Sequence, residues 1–335
     1  MIKKALYDVV NGNNLSRDTM RAVMRQITEG WATAAQIGAF LSALRAKGET
    51  IDEITACAEV MREKSIKIKP DTDVLDVVGT GGDELSTFNI STVSAFVISA
   101  GGINVAKHGN RSVSSKCGSA DVLEALGVNI DISAQRSAEI LKEVGLCFMF
   151  APSYHASMKY AAPVRKELGI RTIFNIIGPL CSPAEANLQL LGVYDENLVE
   201  PLAQVLANLN VKRAMVVHGH DGLDEITLTT TTTVCEVAGG RLNSFFITPE
   251  QLGLNRCTLN DLTGGEAEEN AAIARSILSG EPGPKRDIVV INSAFCLYMS
   301  HNNITLRDCV KMAGDLLDNG KAMEKLNKFV ELSNQ

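Results

Sequence analysis

Three glycines follow a buried apolar run in the stretch VLDVVGTGGD, residues 74–83. Glycine takes positive φ without steric cost and has no side chain to keep a ligand away from the main chain. A helix is predicted to begin shortly after the glycines, where its first N–H groups point outward. The residues at that start are Asn89, Ser91 and Thr92. This combination predicts an anion site, with phosphate as the favoured anion and a plain tight turn as the alternative.

The glycine loop matches neither of the two common nucleotide motifs. A P-loop ends in Gly-Lys-Ser/Thr, but Asp83 and Glu84 follow the glycines here. The dinucleotide fingerprint needs a third glycine at the position of Glu84. The sequence therefore predicts a phosphate loop of another type.

A second loop, KHGNRSVSSKCGSADVLEALG (107–127), combines cations and hydroxyls after a predicted strand. Its cations are Lys107, Arg111 and Lys116, and its hydroxyls are those of Ser112, Ser114, Ser115 and Ser119. Gly109, Gly118 and a helix predicted to begin at Ser119 add main-chain donors. Cations and main-chain donors together suit a phosphate or diphosphate better than a lone carboxylate, with a solvated basic loop as the alternative.

A third loop, HGHDGLDEITL (218–228), follows the predicted strand RAMVVHG (213–219). Asp224 and Glu225 are adjacent hard oxygen ligands of the kind that hold Mg²⁺, which keeps several waters and bridges to substrate phosphates. A zinc site is disfavoured, because Gly222 stands two residues after the second histidine, where an aspartate would be needed. Solvated acids are the alternative. The three loops together predict a site for a phosphorylated substrate with magnesium, in an enzyme or in a binding module.

The length and composition of the chain indicate the class of protein that carries these loops. The chain has 335 residues, enough for about two domains. It is 45% hydrophobic and carries a net charge of −7, which argues against a nucleic-acid binder that relies on general basicity. No apolar stretch is long enough to span a bilayer, and residues 1–10 lack the apolar core of a signal peptide. Eight scattered cysteines without a CxxC pair predict reduced thiols and a cytoplasmic location.

Helices predominate before residue 67, and strands alternate with helices after residue 73. Thr33 with Gln36, and Thr50 with Glu53, have the spacing of capping boxes that begin amphipathic helices. The polar stretch KIKPDTD (67–73) predicts a linker. Apolar strands separated by helices then predict a mainly parallel sheet covered on both faces. The threonine run at 229–233 predicts a strand, and residues 155–184 are predicted to be helical.

The motifs, in their order along the chain, resemble those of the anthranilate phosphoribosyltransferase family. They are GTGGD (79–83), NIST (89–92), the second loop, PVRKELGIRTIFNIIGPL (163–180) and HGHDGLDE (218–225). The resemblance implies a small α-helical domain and a larger α/β domain with a mainly parallel central sheet flanked by helices. The implied helical domain comprises residues 1–70 and 155–185, which return to it. The implied α/β domain comprises residues 71–154 and 186–335. It also implies a cleft site and a homodimer joined through the helical domains.

The implied reaction transfers the phosphoribosyl group of 5-phosphoribosyl 1-diphosphate (PRPP) to the amino group of anthranilate, in tryptophan biosynthesis, with Mg²⁺. The implied catalytic residues are Lys107, Asn110 and Arg165. The implied PRPP contacts are Gly79, Gly82, Asp83, Thr87, Asn89, Ile90, Ser91, Thr92, Lys107, His108, Gly109, Asn110, Arg111, Ser112, Val113, Ser114, Ser115 and Ser119. Anthranilate contacts are implied for Gly79, Asn110 and Arg165, with His108 beside them. The implied Mg²⁺ ligands are Ser91, Asp224 and Glu225, and the sequence leaves open whether Asp83 reaches the metal or only fixes the turn.

Two positions depart from the family pattern, and two other functions remain open. Cys117 stands where many relatives have serine, and CSPA (181–184) lacks the usual asparagine before proline. A pyrimidine nucleoside phosphorylase would share the two-domain plan, although its base-recognition motifs are not visible. A non-catalytic sensor of phosphoribosyl compounds is the other alternative. No nucleic-acid or membrane partner is expected.

Overall fold

The computed structural model describes residues 1–112, 116–301 and 303–335. Four helices form the first part of the chain: α1 (Ile2–Val10), α2 (Arg17–Thr28), α3 (Ala34–Lys47) and α4 (Ile51–Lys64). Both predicted capping boxes are confirmed, because Thr33 and Gln36 exchange hydrogen bonds at the start of α3 and Thr50 and Glu53 do so at the start of α4. Non-helical chain over residues 66–74 then leads to the sheet, as the linker prediction required.

Seven strands of the described chain form one sheet in the order β3-β2-β1-β4-β5-β6-β7. The strands are β1 (Leu75–Gly79), β2 (Val105–Gly109), β3 (Leu146–Phe150), β4 (Leu188–Gly192), β5 (Arg213–Gly219), β6 (Thr232–Ala238) and β7 (Arg241–Ile247). Pairs among β1 to β5 are parallel, whereas β6 and β7 add an antiparallel edge. The predicted mainly parallel sheet is therefore confirmed.

The strand predicted over the threonine run is found only in its last two residues. β6 begins at Thr232, whereas Thr229 lies in the preceding turn. The hydroxyls of Thr227 and Thr229 donate to the carboxylate of Asp221 and hold that turn together. A local side-chain bond thus overrides the strand propensity of threonine.

Helices cover both faces of the sheet. They are α5 (Ile90–Ala100), α6 (Ser119–Ala125), α7 (Ala134–Val144), α8 (Ala151–Tyr154), α9 (Ala162–Leu168), α10 (Phe174–Ile177), α11 (Val199–Asn208), α12 (Ala267–Leu278), α13 (Pro284–Ser300), α14 (Leu306–Asp318) and α15 (Lys321–Ser333). Leu75 and Val77 of β1 share one core with Phe96 of α5 and Phe295 of α13. On the opposite face, side chains of β4 and β5 share a second core with α1 to α4, α10 and α11. No helix among the described residues has the length and apolar character needed to cross a membrane.

The segment between β3 and β4 lies against both the first helices and the sheet. Val164 of α9 packs beside Gly38 of α3 and joins the core of the first helices. Arg62 Nε of α4 donates to the Leu180 carbonyl at 2.7 Å. On the sheet side, Gln189 Nε2 of β4 donates to the Pro179 carbonyl at 2.7 Å. This segment therefore links the helical part of the chain to the sheet.

The order of the strands reverses between β1 and β4. β1 pairs with β2 on one side and with β4 on the other, so that the later strands are added in opposite directions from β1. Ligands of open α/β sheets bind at such a switch point, beyond the carboxyl ends of the strands. The three loops that the sequence analysis predicts to bind a ligand follow β1, β2 and β5, at the carboxyl ends of these strands.

Candidate functional site

The loop after β5 crosses closely over the ends of β1 and β4. A Cβ atom on Gly79 would lie 2.2 Å from Asp224 Oδ2, and one on Gly192 would lie 1.6 Å from the Asp224 carbonyl oxygen. Only glycine leaves room for this crossing at either position. Gly81 N then donates to Asp224 Oδ2 at 2.7 Å, so that the glycine loop and the acidic loop are held together.

The glycine loop itself has an unusual backbone. Gly81 and Gly82 have φ of 66° and 79°, and Glu84 and Ser86 also have positive φ, at 60° and 54°. Side chains at positive φ store strain that the surroundings must hold. The support comes from the segment before α12, because Gly264 N donates to the Ser86 carbonyl at 3.0 Å. Next to it, Thr87 pairs with Thr263.

The N-terminus of α5 faces a carboxylate. Ser91 N donates to Glu225 Oε1 at 3.1 Å. Asn89 precedes the helix and makes no capping bond; its amide donates instead to the Cys117 carbonyl at 3.0 Å. Ile90 and Thr92 are buried, so their side chains point into the core and only their main chains are available to a ligand. Ile90 N donates to the Phe88 carbonyl at 2.8 Å and Ser91 N to Glu225, so the anion site at this helix start stays a prediction.

Lys107 is almost wholly buried beside this helix start. Its Nζ donates to the Val77 carbonyl at 2.5 Å and to Ser91 Oγ at 3.2 Å. Burial lowers the pKa of this ammonium, while Asp76 and Glu225 act in the opposite direction. Lys107 thus orients the Ser91 hydroxyl and brings one positive charge beneath the acidic residues.

Three carboxyl groups meet above Lys107. Burial, followed by the charge of Asp83, raises the pKa of Asp224 to about 7. Burial, followed by the charge of Asp224, raises the pKa of Glu225 to about 8. The pKa of Asp83 is also raised, mainly by burial, and its carboxyl group contacts that of Asp224. Like charges held together away from water favour a bound cation or proton over free carboxylates.

The second loop closes against the start of α6, which begins at Ser119 as predicted. Ser119 Oγ donates to the Asn110 carbonyl at 3.2 Å, and a Cβ on Gly109 would lie 2.3 Å from that hydroxyl. The guanidinium of Arg111 pairs with Asp121 and Glu124 of α6. Ser112 N donates to Asp121 Oδ2 at 3.1 Å. Val113, Ser114 and Ser115 lie outside the described residues.

A separate cation lies on α9. The guanidinium of Arg165 stands 5.2 Å from the centre of the Phe174 ring and has no hydrogen-bond or ion-pair partner within residues 1–112, 116–301 and 303–335. Burial lowers the pKa of Arg165. His108 of β2 and His155 are both buried, with ring centres 5.1 Å apart. A partly buried guanidinium without a partner is suited to a carboxylate.

The histidines of the third loop have structural contacts. His218 is buried and its Nδ1 lies 2.7 Å from the Val193 carbonyl. His220 Nε2 lies 2.8 Å from Thr233 Oγ1 and 3.4 Å from Glu196 Oε1. Their rings are therefore held on the β4 and β6 sides of the loop, while Asp224 and Glu225 turn toward β1 and α5.

Comparison with known proteins identifies the family. A family model described as the helical bundle domain of a glycosyl transferase family matches residues 3–65, and its a/b domain matches residues 71–323. The chain is 70% identical to the anthranilate phosphoribosyltransferase of Ruminiclostridium cellulolyticum over 334 residues, 100% of this chain and 98% of that one. It is 54% identical to that of Methanobrevibacter smithii, with 100% of both chains covered. The chain belongs to the anthranilate phosphoribosyltransferase family.

Solved structures of anthranilate phosphoribosyltransferases share the fold. The enzyme of Thermus thermophilus superposes with a TM-score of 0.94 at 40% identity, covering 99% of each chain. The enzyme of Saccharomyces cerevisiae in complex with PRPP and Mg gives a TM-score of 0.90 at 27% identity, covering 99% of this chain and 98% of that one. The predicted family and fold class are thereby confirmed.

The carboxyl groups suit the Mg that accompanies PRPP in the yeast anthranilate phosphoribosyltransferase. Asp83, Asp224 and Glu225 offer hard oxygen atoms with raised pKa values, which is the donor chemistry of a magnesium site. Over the described ranges, no group of three or more His, Cys, Asp or Glu side chains has the spacing of an all-protein metal cage. Mg²⁺ commonly takes one or two carboxylates and completes its shell with waters and substrate phosphates.

Some residues of the site were not predicted from the sequence. Arg171 Nη2 donates to the Gly82 carbonyl and lies 3.3 Å from Glu84 Oε1, and its guanidinium stacks 4.2 Å above the Tyr194 ring. Asn270 Nδ2 donates to Asn89 Oδ1 at 3.0 Å. Arg171 lies six residues after Arg165 in the same motif (163–180), whereas nothing local indicates Asn270. Both partners lie far away in sequence, so only the fold brings them together.

Proposed function

We propose that this chain transfers the phosphoribosyl group of PRPP to the amino group of anthranilate and releases diphosphate. The observation that carries the proposal is the presence of two sites of opposite charge in the described chain. A buried carboxyl cluster lies beside the start of α5, and Arg165 of α9 has no ionic partner within the described residues. The first suits a diphosphate with its cation, and the second suits a carboxylate on the acceptor.

The donor is proposed to lie along the first and second loops. The glycine loop from Gly79 to Asp83 follows β1 and precedes α5, and the second loop follows β2; their main-chain N–H groups are proposed to contact the phosphates. The residues proposed to hold PRPP are Gly79, Gly82, Asp83, Thr87, Asn89, Ile90, Ser91, Thr92, Lys107, His108, Gly109, Asn110, Arg111, Ser112, Val113, Ser114, Ser115 and Ser119. Arg111 must exchange part of its pairing with Asp121 and Glu124 to reach a phosphate.

Ser91, Asp224 and Glu225 are proposed to hold Mg²⁺, which when bound neutralises charge on the departing diphosphate. Lys107 holds the Ser91 hydroxyl and contributes a second positive charge below it. Asp83, which contacts Asp224, is proposed to set the separation of the carboxyl groups.

The acceptor is proposed to bind between Arg165, Asn110 and Gly79. Arg165 would pair with the anthranilate carboxylate, and His108 would line the same space. An aromatic amine is uncharged at neutral pH and has a lone pair, so the attack itself needs no strong base. The demanding part is the loss of diphosphate with growing positive charge on the sugar, and positioning and charge stabilisation supply most of the rate.

We propose that residues 1–70 with 155–185 form one domain, that 71–154 with 186–335 form the other, and that two copies join through the helical domains. Packing of Val164 on α3 supports the return of the intervening segment, although Gln189 ties it equally to the sheet. A cytoplasmic location completes the proposal.

The decisive experiment follows anthranilate fluorescence. It should fall when the protein, PRPP and Mg²⁺ are combined, and a matched reaction without PRPP should show no change. Unchanged fluorescence, together with phosphate-dependent cleavage of thymidine or uridine, would replace the proposal with a nucleoside phosphorylase. Tight PRPP binding without turnover of any aromatic amine would replace it with a sensor.

A further inference from the structure

Asn270 is a buried asparagine near the start of α12, and its side chain bonds to residues outside that helix. It is 2% exposed. Its Oδ1 accepts the main-chain N–H of Gly265 at 2.8 Å, and its Nδ2 donates to Asn89 Oδ1 at 3.0 Å. Asparagine is a poor helix former, because its side chain competes for backbone hydrogen bonds. The two long-range or loop contacts of Asn270 therefore offset an unfavourable choice of residue for a buried helix position.

The side chain of Asn89 continues this series of hydrogen bonds to the second loop. Asn89 Nδ2 donates to the Cys117 carbonyl at 3.0 Å. The Gly265 N–H can only donate and the Cys117 carbonyl can only accept, so the main chain at the two ends fixes the orientation of both amide groups. Turning over either amide would bring like groups together at both of its contacts. The series from Gly265 through Asn270 and Asn89 to Cys117 therefore has a single arrangement.

This series joins the far ends of the two loops that are proposed to bind PRPP. Asn89 stands at the start of α5, after the glycine loop, and Cys117 lies two residues before Ser119, where α6 begins. The beginnings of the same loops are already fixed, because β1 and β2 pair side by side. The bond from Asn89 to Cys117 spans 28 residues of sequence and sets how far apart the two loops lie at their other ends.

The segment that precedes α12 packs closely against the start of α5. Phe88 N donates to the Leu262 carbonyl at 3.2 Å. A Cβ atom on Gly264 would lie 2.5 Å from Asn270 Oδ1 and 2.7 Å from Phe88 Cα, so only glycine leaves room for this approach. The position of Asn270 relative to the helix start is thus held by the main chain as well as by its own side chain.

We propose that Asn270 is a positioning residue for PRPP, which acts through Asn89 and sets the separation of the two loops. The proposal rests on the proposed function, in which both loops contact the same donor. A ligand that spans two loops binds tightly when both are already in place, because ordering them on binding costs free energy. Arg165, which would hold the anthranilate carboxylate, lies on α9 outside this series of bonds. Loss of Asn270 should therefore weaken the binding of PRPP more than that of anthranilate.

The test uses Asn270→Asp in the full chain. A carboxylate has the shape of the amide and still accepts the Gly265 N–H, but it cannot donate to Asn89. The Kd of PRPP, measured by titration calorimetry with Mg²⁺, should rise about 10-fold, in the range for a buried hydrogen bond that leaves one partner unsatisfied. KM for anthranilate should stay near that of the wild type. The matched control is Asn255→Asp, the same change at an exposed position between β7 and α12, and it should leave both constants unchanged.

A double-mutant cycle separates this role from a merely structural one. Because Asn270 acts through Asn89, Asn270→Asp should cause no further rise of the Kd for PRPP in an Asn89→Ala background. Rises that multiply would overturn the inference. A wild-type Kd in Asn270→Asp would also overturn it, as would equal increases in the Kd for PRPP and the KM for anthranilate.

A second variant covers the case in which Asn270→Asp does not fold. Asn270→Ala removes the donor to Asn89 without adding a charge, and the same outcomes then decide. The inference and the proposed function can fail separately, since the Kd comparison needs no turnover. A wild-type protein that binds PRPP but does not consume anthranilate would refute the proposed function alone.

Discussion

The acidic side of the candidate site, with Asp83, Asp224 and Glu225, and the basic side, with Arg165, hold groups of opposite charge. On one side, Asp83, Asp224 and Glu225 crowd together with raised pKa values because burial and mutual repulsion disfavour their charged forms. On the other, Arg165 is partly buried without an ionic partner among the residues that the structure describes. The carboxyl groups can relieve their strain by taking up protons, but a guanidinium cannot give one up at ordinary pH. The acidic side should thus respond to pH and metal, and the basic side to the acceptor.

The largest effect is expected on the acidic side. Asp224→Asn with Glu225→Gln removes the two adjacent carboxylates while keeping their size, and we expect activity to fall about 100- to 1000-fold, as for loss of a main electrostatic stabiliser. Rates measured over a series of Mg²⁺ concentrations check this. Asp315→Asn, a surface change on α14, is the control. An unaltered magnesium dependence in the double variant would remove these residues from the metal site.

The basic side should show a smaller and more selective loss. Arg165→Ala should raise KM for anthranilate about 10- to 100-fold, the range for a lost hydrogen bond to a charged group, and should change KM for PRPP much less. Lys166→Ala alters the exposed neighbour and should leave both constants near those of the wild type. The opposite ranking of the two KM values would place Arg165 on the donor side.

Stability against pH distinguishes the two sides directly. The pKa values of Asp224 and Glu225 are raised to about 7 and about 8, above their values in the unfolded chain, so the folded state binds more protons between about pH 4 and 8. The melting temperature of the metal-free protein should therefore fall as pH rises through that window. Mg²⁺ should raise it, and more so at pH 8 than at pH 6. The fall of the melting temperature with pH should become smaller in the Asp224→Asn, Glu225→Gln variant and should persist in Arg165→Ala. An equal fall in the wild type and both variants would contradict the raised pKa values of Asp224 and Glu225.

The smallest effect concerns the link between the sides. Arg171 bonds to the Gly82 carbonyl and pairs with exposed Glu84, and such surface pairs contribute about 0–1 kcal/mol. Arg171→Met should raise KM for PRPP up to about fivefold by loosening the glycine loop. Arg171→Lys keeps the charge but loses the stacking on Tyr194, so its KM for PRPP should lie between those of the wild type and Arg171→Met. Faster hydrogen exchange over residues 80–86 in Arg171→Met would confirm the link, and unchanged exchange would exclude it.

Much of the site was predictable because its residues lie in short local patterns. The glycines at 79–82, the helix starts at Asn89 and Ser119, and the adjacent Asp224 and Glu225 each carry their own signal, and all lie in the connections that begin at the ends of β1, β2 and β5. The capping boxes at Thr33 and Thr50 were likewise readable from three-residue spacings. The strand predicted over the threonine run at 229–233 was only partly right. Asp221 accepts hydrogen bonds from the hydroxyls of Thr227 and Thr229, and the chain turns there before β6 begins.

The amino-acid sequence by itself determined the elements, the three candidate loops and the family resemblance, since these depend on local periodicity and on residue order. Tertiary structure alone decided which charged groups are buried and which partners they meet. Asn270 looked like any polar residue of a helix until the fold placed Asn89 beside it. Arg171 looked like a surface arginine until the chain brought it to Gly82, 89 residues away. Burial and long-range neighbours set pKa values and hydrogen bonding, and neither is written in a local stretch of sequence.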